Sequence, residues 1–126
     1  MVTTDISQLT AECNTWRQHL RSYRDDLTQL KNQLRQIALH VSKRDQLQDV
    51  EHYENQFHIQ LINIHDLKHS IKSHDQKASI ERLANNGQVS DETWALHERL
   101  HDQYERLDHM LNELKGAFKE FLAKLN

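Results

Sequence analysis

The sequence predicts an all-α fold, an antiparallel up-down-up three-helix bundle with long, coiled-coil-like helices over residues 5–41, 46–85 and 91–125. Three observations predict it. The chain has no proline and only two glycines, so nothing forces an early end on a helix, whose interior a proline would destabilise by about 3 kcal/mol. Apolar residues recur at alternating spacings of three and four, which places them on one helix face. The stripe is interrupted in two places, and short connections between long helices make neighbours run antiparallel.

The first helix carries the clearest pattern. Ile6, Leu9, Cys13, Trp16, Leu20, Tyr23, Leu27, Leu30, Leu34, Ile37 and Val41 follow the spacing without a break, so every a and d position of the heptads is apolar or semi-polar. Leu9, Trp16, Leu20, Tyr23, Leu27, Leu30, Leu34 and Ile37 are the residues expected to build the core and any self-assembly seam. Thr4 or Asp5 is placed to cap the start.

Beyond Val41 the repeat calls for apolar residues where Arg44 and Gln48 stand. Ser42 followed by Asp45 resembles a helix start, so a turn is expected at 42–45, with one continuous helix as the alternative. The second helix then presents Val50, Tyr53, Phe57, Leu61, Ile64, Leu67, Ile71 and Ala78, with Ile80 and Leu83 near its end. "NNGQVSD" at 85–91 ends it. Asn-Gly takes up a left-handed residue, and Ser90 or Asp91 starts the third helix. That helix turns Trp94, His97, Leu100, Tyr104, Leu107, Leu111, Leu114, Phe118, Phe121 and Leu125 inward. Ala38, Leu39, Ile59 and Ile62 widen the stripes of the first two helices, as suits a helix with two neighbours or a partner chain.

The 126 residues read as one domain, 1–126, long enough to bury a core without disulfide or metal. Cys13 is the only cysteine, so no internal disulfide forms. No basic-then-apolar leader opens the chain, and no window approaches the ~20 apolar residues of a membrane span, so a cytoplasmic protein without a membrane partner is expected. Net charge is −3, with acids and bases interleaved. That differs from the concentrated basic footprint of a nucleic-acid binder. No Ser-His-Asp set and no phosphate loop is present, so no catalytic residue and no enzyme is expected.

Ten histidines are the chemical peculiarity. Folding the helices back near residues 43 and 87 sets His74 opposite His101, with His97 one turn away and Cys13 on the first helix at the same height. Cys13, His74, His97 and His101 are therefore the first candidate metal ligands. His97 and His101 stand four apart, a spacing at which two imidazoles can share one ion, and zinc accepts mixed Cys and His ligands. A second candidate level holds His65 and His69, also four apart, facing His109, with His19 at that height. The competing reading makes these histidines solvated face residues or buried register-fixing contacts. Cys13 then packs as a small core residue.

The stretch "VEHYENQFHIQLINIHDLKHSIKSHD", residues 50–75, resembles a segment of small uncharacterised bacterial helical proteins, which carry a similar "EH..NQF" followed by "LKH.IK.H". The resemblance implies a helical fold and brings no activity, ligand or site residue with it. The three-helix layout is similar in architecture to spectrin-type repeats, and architecture does not transfer function.

The expected function is that of a non-enzymatic bundle acting in protein–protein interaction or self-assembly, without a cofactor, through apolar helix faces and charged flanks. Its partner is another protein or a second copy of the chain. The alternatives are a histidine-rich bundle that binds zinc or another transition metal, and a module that responds to pH through its histidines.

Overall fold

A computed structural model describes residues 6–125, with side chains from Ser7 onward. It consists of three helices, α1 (Ile6–Ala38), α2 (Arg44–Ala84) and α3 (Asp91–Leu125), arranged as an up-down-up three-helix bundle. Thr4 and Asp5, proposed as a cap, lie outside the described residues.

The first connection falls earlier than expected. α1 ends at Ala38, where Leu39 and His40 bond back three residues to Gln36 and Ile37 and tighten the last turn. α2 starts at Arg44, so the two helices are separate. Lys43 holds the cap position and makes no side-chain cap bond. Ser42 therefore does not cap, and Asp45 accepts instead from the backbone N–H of Gln46. The second connection follows the sequence expectation. Asn86 (φ 55°) and Gly87 (φ 85°) are successive left-handed residues, and Gly87 N–H bonds to Arg82 O at 2.8 Å. The hydroxyl of Ser90 accepts from Thr93 N–H at 3.1 Å and caps α3. Glu81 of α2 holds the same corner, accepting from Ser90 N–H at 2.9 Å and from the Thr93 hydroxyl.

The core runs the length of the bundle. Leu9, Cys13, Trp16, Leu20, Leu27 and Leu34 are buried on α1, whereas Tyr23, Leu30 and Ile37 sit at its half-buried edge. The α2 stripe departs from its expected phase. Gln60 is buried where Leu61 had been placed. Ile80 and Leu83, expected inside, are 68% and 85% exposed. The inward positions run Val50, Tyr53, Phe57, Gln60, Ile64, Leu67, Ile71, His74, Ala78, Glu81, an unbroken heptad once its polar members are counted. Glu81 holds the inward place, so Ile80 and Leu83 flank it.

The seams differ in chemistry. α2 packs closely along both neighbours, while the α1 and α3 backbones approach at few points. Large polar and aromatic side chains fill that wider seam. Trp16 stacks on His97, His101 and Tyr104, His19 bonds Tyr104, the Tyr23 hydroxyl donates to Asp108, and Lys115 pairs with Asp26 at 2.8 Å. At the far end Phe57 meets Phe118 edge to face at 5.1 Å between ring centres, a geometry that favours aromatic pairs.

Candidate metal centre

Each helix places one metal-ligating side chain in its inward stripe near one end of the bundle, and the three meet. Cys13 follows Leu9 by four on α1, His74 follows Ile71 by three on α2, and His97 follows Thr93 by four on α3. All three are buried. One metal-ligating atom from each lies within 4.8 Å of the other two. His74 Nε2 stands 3.0 Å from His97 Nδ1, and Cys13 Sγ stands 4.0 Å from that same Nδ1.

Register explains how this set differs from the expected one. α3 is shifted by one turn against α2, so His74 faces His97 instead of His101. The His101 ring stacks on Trp16 at 5.7 Å, its side chain is 42% exposed, and its Nε2 lies 3.0 Å from Glu105. His101 is outside the cluster, and the four-apart pair does not converge. The second candidate level does not assemble either. His65 and His69 are exposed and line a groove between α1 and α2 with Arg17, Arg21, Lys68 and Lys72, whose charge repels a metal cation. His109 is 76% exposed on another face and pairs with Glu113 at 3.0 Å. His19 bonds Tyr104 on the α1–α3 seam.

Glu12, on α1 beside Cys13, adds a residue that sequence reasoning did not assign. Its Oε1 lies 3.5 Å from His97 Nε2, close enough for electrostatic attraction though outside ordinary hydrogen-bond geometry. The carboxylate nevertheless selects a tautomer. A proton on His97 Nε2 faces a negative charge favourably, which leaves Nδ1 as the lone pair that accepts from His74 Nε2. His74 Nδ1 is then buried without a partner, a cost that a satisfied core contact would not carry. The signal for Glu12 was its place next to Cys13, but adjacency along a helix does not show which neighbouring helix a side chain meets.

The protonation states follow from burial. The Cys13 thiol is pushed up to about 12, first by burial and then by the nearby Asp75 carboxylate, with Arg17 opposing. His74 is pushed down to about 4 by burial and by its neighbour His97. Burial also lowers His97, against the pull of Glu12. Near neutral pH both imidazoles are uncharged, the form that ligates a metal, and the thiol keeps its proton. The His97 ring is held by Trp16 at 4.7 Å and by Trp94 at 5.2 Å.

The donor set fits a zinc-type ion. Zinc–nitrogen bonds near 2.05 Å and a zinc–sulfur bond near 2.3 Å place tetrahedral ligand atoms roughly 3.4 Å apart for two nitrogens and roughly 3.6 Å for nitrogen and sulfur. The corresponding separations here are 3.0 Å and 4.0 Å, within side-chain adjustment of those values. With Nδ1 of His97 on the metal, its Nε2–H would face Glu12, the carboxylate–histidine arrangement that orients metal-bound imidazoles. Three protein ligands leave a fourth position for water or an exogenous group. Among the described residues no helix is long and apolar enough to cross a membrane. Comparison with family models, with curated proteins and with solved structures found no match.

Proposed function

We propose that this protein is a non-enzymatic helical bundle that binds one zinc-type transition-metal ion through Cys13, His74 and His97, the ion tying its three helices together at one end. The observation that carries this reading is the meeting of three buried ligand residues, one per helix, in a single layer. A lone histidine in a heptad stripe has an ordinary structural explanation. Two buried imidazoles whose facing nitrogens, His74 Nε2 and His97 Nδ1, stand 3.0 Å apart beside the Cys13 thiol are the donor atoms such an ion would use. Binding would cross-link α1, α2 and α3, so metal affinity becomes folding stability.

The test is elemental analysis of tag-free protein purified without chelator, together with cobalt titration read by the visible bands of a tetrahedral thiolate complex. One ion per chain is expected, with band intensity lost in Cys13→Ser and His97→Ala. Absence of metal as purified, together with no uptake at micromolar zinc or cobalt, refutes the reading.

A second reading, a protein-binding or self-assembling bundle, is favoured by a different observation. Leu39, Ile59, Ile62 and Met110 are large apolar residues left exposed, and Ile59 with Ile62 shares one face of α2. Sedimentation equilibrium tests it. A concentration-dependent dimer abolished by Ile62→Lys supports it, and a monomer at all concentrations excludes self-assembly.

A further inference from the structure

The α1–α2 groove that gathers Arg17, Arg21, His65, Lys68, His69 and Lys72 holds about 540 Å³, and among the described residues no carboxylate lines it. The geometry points to this groove as a binding site for a compact, multiply charged phosphate ligand, an oligophosphate or nucleoside polyphosphate, independent of the metal centre. In a chain of net charge −3, four permanent cations share this short seam. Arg17 is neutralised by Asp75 at 2.9 Å. Among the described residues, Arg21, Lys68 and Lys72 have no such partner lining the groove. Lys68 is half-buried, and its ammonium is held below the ordinary lysine range by burial and by the nearby Arg24 and Arg21, with Asp25 opposing. Like charges so placed repel one another, and a bound anion removes that cost. Guanidinium and ammonium groups supply the charge-assisted hydrogen bonds that phosphate oxygens take up.

Size selects the ligand. From His65 to Lys72 is seven residues of α2, about 10 Å at ~1.5 Å per residue, a length that suits two or three linked phosphates. A duplex backbone would need cations continuing along the bundle beyond the groove.

Isothermal titration of chelator-treated, metal-free protein with inorganic tripolyphosphate at low salt tests the proposal. Metal must be absent because tripolyphosphate is itself a chelator. One saturable site per chain is expected, weakening with added salt. Arg21→Gln and Lys68→Gln should each weaken it about tenfold, while Lys124→Gln at the end of α3 leaves it unchanged. Lys68→Gln should not lower the thermal midpoint, because it relieves repulsion, so lost binding will not reflect lost folding. The proposal is overturned if Lys124→Gln weakens binding as much as Lys68→Gln does. Equal binding of monophosphate and tripolyphosphate at matched ionic strength overturns it too. So does capture solely by phosphoinositide-containing vesicles or by duplex DNA, with no uptake of free tripolyphosphate.

Discussion

His74 Nε2 lies 3.0 Å from His97 Nδ1, joining α2 to α3 through two buried imidazoles in the layer where α1 supplies Cys13. His97 also meets the Cys13 thiol at 4.0 Å and the Glu12 carboxylate at 3.5 Å. Among the described residues His74 Nδ1 and His97 Nε2 are two of three buried side-chain polar atoms without a hydrogen bond, the third being Asp75 Oδ1.

Acid should destabilise the metal-free protein. His74 ionises near 6.5 when unfolded and is pushed down to about 4 when folded. A depressed pKa means the folded state resists protonation. Its contribution is complete above about pH 6.5 and is lost as pH falls toward 4, a swing of the order of 3 kcal/mol. Asp75, Glu81 and Lys77 on α2, Glu12 on α1, and His97, Glu98 and His101 on α3 modulate the two imidazoles. Urea midpoints should be lower at about pH 5.5 than at about pH 7.5, with a smaller difference in His74→Leu. Coincident wild-type curves would contradict this.

Metal should raise stability through His97 and not through His101. At free zinc about 100 times its dissociation constant, linkage adds about 2.7 kcal/mol, read as a rise in thermal midpoint that EDTA reverses. His97→Ala should abolish the rise and His101→Ala should keep it, because His101 turns toward Glu105. Binding near neutral pH should also release about one proton, from the Cys13 thiol. Equal losses in the two histidine variants would mean the ligands are not those in the buried layer.

Phe118→Ala should cost about 3–5 kcal/mol. The ring is fully buried and packs edge to face on Phe57 and on Tyr53. Equilibrium urea denaturation measures the loss, and a cost below about 1 kcal/mol would show that this end of the core is loosely packed.

The two glycines should respond with opposite signs. Gly87 sits at φ 85° with open space around it, so Gly87→Ala should destabilise by about 1 kcal/mol through backbone strain alone. Gly116 is inside α3 with nothing within 4 Å of an added methyl group. Gly116→Ala should stabilise by about 0.5–1 kcal/mol. Thermal midpoints of the two variants decide it.

Periodicity alone determined much of this protein. Helix number, approximate lengths and inward faces are local properties, since a three-four spacing marks one face wherever the helix lies. The Asn-Gly corner was legible because a left-handed turn requires such residues. Gln60 and Glu81 were missed because a polar residue in a stripe reads as an interruption until its partners are known. The tertiary structure alone decided register. A heptad pattern looks the same after sliding, and the short 39–43 connection with the corner at Glu81, Ser90 and Thr93 sets where the helices stop. That shift of one turn replaced His101 with His97 as the residue facing His74 and brought Glu12 to its edge. The cationic groove has the same origin. Arg17 with Arg21, and Lys68 with Lys72, are each four apart on a helix whose charges are interleaved in sequence, and only packing α1 against α2 makes them one site.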